Sequence, residues 1–143
     1  MGSESREGIY GAYADCYREN LDRIRGAYID VALTEALDDR ETKSGLAALR
    51  ADWRPPEEKL APLEDAVTGE GPDAVSESAQ AASSALVRYG ALVLEAIKVE
   101  AARRERCVQD AKNAYGATYK AYVGFLYSAA EVLGQADFLR SRS

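Results

Sequence analysis

One stretch of this chain constrains its fold more than any other. Residues 73–137 contain no proline, and an apolar stripe recurs through them at helical spacing. The stripe reads Val75, Ala79, Ala82, Leu86, Tyr89, Val93, Ile97 and Ala101. Beyond Arg104 it resumes at Val108, Ala111, Tyr115, Tyr119, Tyr122, Leu126, Ala129 and Leu133. Steps of three and four average about 3.6 residues, the period of an α-helix. A chain dominated by such a stretch folds as an all-α protein. The expected architecture over residues 1–143 is one domain, an antiparallel bundle of three to four helices with an unusually long C-terminal helical stretch.

That stretch is either one helix or two. A single helix would rise roughly 95 Å at 1.5 Å per residue, far beyond what the shorter helices can cover. Its Tyr-rich end would then need a partner, because an apolar face of that size is not left in water. A break near 103–116 would bury the same face within the monomer. A turn at 103–106 lacks the residues that make reversals cheap, whereas Asn113 and Gly116 can cap a break further on. The unbroken phase of the stripe favours a helix from 73 to about 112, with intermolecular packing toward the C-terminus.

The preceding chain supplies cover. A helix is expected over about 5–38, capped by Ser5, with Tyr10, Tyr13, Tyr17, Leu21, Ile24, Tyr28 and Val31 on one face. Arg18, Glu19, Asp22, Arg23 and Arg25 fall mostly on the other. Residues 38–45 read as a polar connection. A second region, about 44–54, carries Leu46, Leu49 and Trp53 before Pro55-Pro56 breaks it. A third, about 56–68, carries Leu60, Leu63 and Val67, and residues 68–72 form a loop.

Composition removes several kinds of chemistry. The chain has no histidine, which excludes imidazole acid–base catalysis, Ser-His and Cys-His nucleophiles and imidazole metal ligands. Its two cysteines, Cys16 and Cys107, are too few for a structural zinc site or a disulfide scaffold, and read as buried free thiols. Neighbouring acids such as Glu57-Glu58 and Glu64-Asp65 point about 100° apart on a helix and form no catalytic pair. Neither a Gly-rich phosphate loop nor a nucleophile elbow is present. No catalytic, cofactor-binding or metal-binding residue is therefore assigned, and an enzyme is not expected. A net charge of −6 disfavours nucleic acid and anionic membrane as partners. No apolar run is long enough to span a membrane, and no signal-peptide pattern opens the chain. The expected location is the cytoplasm.

Nine tyrosines are many for this length, and they cluster. Ile9-Tyr10-Gly11-Ala12-Tyr13 resembles Ala114-Tyr115-Gly116-Ala117-Thr118-Tyr119, and small residues beside each ring let helices approach closely. The expected function is a non-enzymatic interaction or scaffold module with coiled-coil-like packing and a protein partner, self-associating into a homo-oligomer. Its interface would use the Tyr-rich C-terminal face, Tyr115, Tyr119, Tyr122, Leu126 and Leu133, together with Trp53, Tyr10, Tyr13 and Tyr17. An alternative is a carrier of a small hydrophobic ligand with a Tyr-lined pocket. Arg103, Arg104 and Arg106 are the densest basic cluster and read as a solvated helix face.

Near the C-terminus, Tyr127-x-x-x-Glu131 followed by Phe138 resembles the Tyr-x-x-x-acid signal of type VII secretion substrates. That resemblance implies a helical hairpin exported without a cleavable signal peptide. Those proteins carry a Trp-x-Gly turn. Here the only tryptophan reads Trp53-Arg54-Pro55, so this half of the pattern is missing.

Overall fold

Helix α1 runs Arg6–Leu37 and starts where its cap predicts, with Ser5 Oγ accepting the Gly8 N–H at 3.1 Å. The computed structural model describes residues 5–37, 39–56 and 59–142. Among them five further helices follow: α2 Arg40–Asp52, α3 Leu60–Glu70, α4 Asp73–Lys98, α5 Ala101–Leu133 and α6 Ala136–Arg140. All six pack against one another, and among the described residues none is long and apolar enough to cross a membrane.

α2 begins four residues before the expected boundary. Asp39 caps it, its Oδ1 accepting the Thr42 N–H at 2.8 Å, and those bonds hold the carboxyl below its usual range. The expected polar connection is thus mostly the first turn of α2. α3 starts at Leu60 rather than 56; Glu57, Glu58 and Asp38 lie outside the described residues. Pro62 is the third residue of α3, where its missing N–H would have had no helical acceptor. The expected loop over 68–72 shrinks to Gly71 and Pro72, and Gly71 sits at φ 63°, which favours glycine.

Side-chain contacts give the helix directions. α2 and α3 return along α1, so that Arg6 pairs with Glu70 at 2.9 Å. α4 then runs parallel to α1: Tyr13 reaches Ala79, Tyr17 reaches Ala82, and Ile24 lies against Gly90. α5 runs back, bringing Phe125 to Tyr13, Tyr122 to Tyr17 and Tyr115 to Arg25. α6 closes the end where α1 begins, after Gly134 at φ 66° turns the chain. The Arg142 guanidinium crosses Gly11, bonds Asp15 at 3.1 Å and covers the Phe138 ring.

The long C-terminal stretch is not one helix to about residue 112. It breaks at Val99 and Glu100, earlier than either turn considered from sequence, and α5 is continuous through 103–116. Both turn residues adopt extended backbone, near φ −68°, ψ 154°, which any L-residue can occupy. No glycine or asparagine is needed. Arg50 of α2 donates Nε to Ile97 O and Nη2 to Val99 O, each at 2.8 Å, and so satisfies carbonyls that the helix end leaves free.

Candidate functional site

The tyrosines expected to form an interface form the core instead. Tyr10, Tyr13 and Tyr17 on α1 and Tyr122 and Leu126 on α5 are at most 1% exposed. Tyr115, Tyr119, Leu133 and Trp53 are half-buried and pack on the same core. The face they make is spent within the chain: the reversal at Val99–Glu100 lays α5 against α1 and α4. Most of the face expected to drive self-association, or to line a pocket, therefore lies inside the chain. The rings fill space rather than line it.

Their geometry shows why the positions need tyrosine. Tyr17 and Tyr122 stack, centroids 5.1 Å apart and planes 5° from parallel. Phe125 meets Tyr13 edge-on at 4.8 Å and Tyr10 at 6.3 Å. The buried hydroxyls donate to main-chain carbonyls: Tyr17 to Ala82 at 2.7 Å, Tyr13 to Ala79 at 2.8 Å, and Tyr10 to Gly71. The Ala79 and Ala82 carbonyls are helical, and their second lone pair is free for such a bond. Burial pushes the Tyr13, Tyr17 and Tyr89 phenols far above their ordinary range and Tyr122 up to about 12. These phenols stay neutral at physiological pH, which suits packing and not proton transfer.

Outward from this core the aromatic line continues through Tyr119 and Tyr115, each covered by an arginine. Arg18 lies 5.9 Å from the Tyr119 centroid and Arg25 lies 4.8 Å from that of Tyr115. Cys16 and Cys107 are free thiols, and burial raises both above the usual range. Among the described residues no group of three or more Cys, Asp or Glu side chains is placed to hold a metal.

What the fold leaves open lies elsewhere. Ile29, Leu33 and Leu37 project from α1 at i, i+4 and i+8 with exposures of 43%, 44% and 58%. They form a straight ridge on the side of α1 facing away from the bundle. Sequence reasoning missed it because the tyrosine face is stronger, although the spacing was there to be read. Val87 is also exposed, one and two turns before Ala91 and Leu94, which line a shallow apolar groove beside Val99. A cleft of about 410 Å³ separates α4 and α5, where Ala85, Ala114 and Ala117 leave space beneath Arg88, Asp110 and Asn113. Tyr127 is 61% exposed near the end of α5.

No protein-family model, no curated protein and no solved structure matches this chain.

Proposed function

We propose that this chain is a non-enzymatic helical interaction module that self-associates weakly through the α1 ridge. The supporting observation is the exposed line Ile29, Leu33, Leu37 on a helix whose other side supplies Tyr10, Tyr13, Tyr17, Ile24 and Val31 to the core. An i+4 ridge is self-complementary: two such ridges interdigitate across a two-fold axis at about −50°, the commonest helix-crossing class. Centred on Leu33, an antiparallel pair sets each Ile29 against the partner's Leu37. Gly26, one turn before Ile29, has open space where a Cβ would stand and lets the backbones close in.

Magnitude sets the strength. Full burial of an Ile or Leu side chain contributes about 1.5–3 kcal/mol, so six half-exposed side chains give about 4–9 kcal/mol. Association itself costs about 4–15 kcal/mol. The outcome is a weak, concentration-dependent dimer, not an obligate one. Sedimentation velocity over a concentration series tests it. The wild-type chain should move toward dimer as concentration rises, and Leu33→Asp should stay monomeric with unchanged helicity. A wild-type chain that remains monomeric at millimolar concentration would reject the reading.

The export reading keeps one specific support. Tyr127 and Glu131 are both exposed, one turn apart, on the second helix of the α4–α5 hairpin. Trp53, by contrast, lies in the α2–α3 connection and not at the hairpin turn. Fractionation of cells making the wild-type and Tyr127→Ala chains separates the readings, because export predicts extracellular wild type alone.

A further inference from the structure

We propose that the cleft between α1 and the α2–α3 connection binds a phosphate-type dianion, either free phosphate or the phosphate group of a small phosphomonoester. The cleft holds about 270 Å³ and is lined by Asn20, Arg23, Arg54, Pro55, Pro56 and Lys59. Among the described residues that line it, three of six are cations and none is an acid. That is the reverse of the chain's balance, 24 acidic against 18 basic residues. Two of the three cations are unused: among the described residues neither Arg23 nor Lys59 forms a hydrogen bond or ion pair. Arg54 donates only Nη1, to Trp53 O at 2.7 Å, which anchors the guanidinium and leaves its other N–H groups for a ligand. Cations gathered around a concave site concentrate the field there and raise local anion concentration.

A buried donor also lies in the same cleft. Asn20 is 3% exposed, and its amide finds only a 3.9 Å contact to Cys16 Sγ. An amide buried at that cost is normally well bonded, and this one retains donor capacity beside the three cations. Arg23 follows Asn20 by three residues, so both project from one face of α1. α3 adds to the field: Lys59 occupies its N-cap position without a side-chain cap bond, so the positive helix end is not neutralised there. Pro55 is wedged over Gly90 of α4, its Cβ 3.0 Å from where a Gly90 Cβ would stand. The guanidinium fork of arginine fits tetrahedral oxyanions better than a point charge does, and two of the three cations are arginines.

The test uses the full chain. Isothermal titration with inorganic phosphate and with O-phosphoserine in physiological salt is read beside the fluorescence of Trp53, the only tryptophan. Saturable binding of phosphate or of O-phosphoserine is expected, weakened roughly tenfold by Arg54→Ala or Lys59→Gln, the scale of one charge-assisted hydrogen bond. Lys59→Arg should restore it, and Arg88→Ala, in the α4–α5 cleft, should leave it unchanged. Equal affinity for both probes assigns free phosphate, and tighter O-phosphoserine assigns a phosphomonoester. Absence of binding for both probes, or equal weakening by Arg88→Ala, would overturn the site. Helicity and melting temperature of each variant guard against unfolding, and the monomer–dimer equilibrium is a separate readout.

Discussion

Replacing Tyr17 and Tyr89 separately by phenylalanine distinguishes two kinds of buried hydroxyl. Both rings are 0% exposed, and phenylalanine keeps nearly all of each ring's packing. The Tyr17 hydroxyl donates to Ala82 O at 2.7 Å, whereas the Tyr89 hydroxyl has no hydrogen-bond partner among the described residues. Removing the first loses a net stabilisation of about 1 kcal/mol, because the Ala82 carbonyl keeps its helical bond. Removing the second relieves an unsatisfied buried donor, which costs about 1–3 kcal/mol to keep. Tyr17→Phe should therefore lower the melting temperature by about 3 °C and Tyr89→Phe should raise it by at least as much. Urea unfolding followed by circular dichroism gives both free energies, and an unchanged m-value confirms that the comparison is between like states. The reasoning fails if Tyr89→Phe destabilises the chain as much as Tyr17→Phe does.

Glycines give a second contrast. Gly90→Ala should cost about 1–3 kcal/mol, because the new methyl meets the Pro55 ring at 3.0 Å and the ring cannot rotate away. Gly45→Ala, exposed in the middle of α2 with nothing within 4 Å, should stabilise by about 0.5–1 kcal/mol; thermal melts report both. The phenols predict an alkaline limit. Their folded pKa values lie above the unfolded value near 10, so the folded state binds more protons at high pH. Their contribution to stability is complete below about pH 10 and is lost as pH rises beyond it. Tyrosinate absorbance should thus rise cooperatively with loss of helicity, rather than gradually as for exposed phenols.

How much of this was legible depends on where the determining contacts lie. α1 could be read because Ser5 and the Tyr10-to-Val31 face are local features of a 32-residue helix. α4 could be read for the same reason, since Val75, Ala79, Ala82, Leu86, Tyr89, Val93 and Ile97 are all buried. The break after Lys98 could not, because its carbonyls are satisfied by Arg50, 47 residues away from Ile97. In α5 the alanine-rich sequence offers several phases. Of the expected face, Ala111, Tyr122, Leu126 and Ala129 are buried while Val108, Tyr115, Tyr119 and Leu133 are only half-buried, and Cys107, Thr118 and Phe125 share the centre. The cationic cleft was illegible for the same reason as the turn: Arg23, Arg54 and Lys59 converge only in the folded chain. The outward ridge of α1 has legible i, i+4, i+8 spacing, but the tyrosine face is the stronger apolar signal on the same helix.

The two-residue reversal at Val99–Glu100 also divides the labour of folding. α4 and α5 are neighbours in sequence and can zip together from their turn, with short loops to close. α1 can close locally only onto α2, through Thr34 and Thr42. Its tyrosine hydroxyls reach partners 61 to 101 residues away, from Gly71 to Thr118, so each of those bonds follows a long chain closure. The hairpin is therefore the natural nucleus, and the N-terminal helix arrives at a surface already built, inserting its rings into carbonyl acceptors that α4 displays before α1 docks.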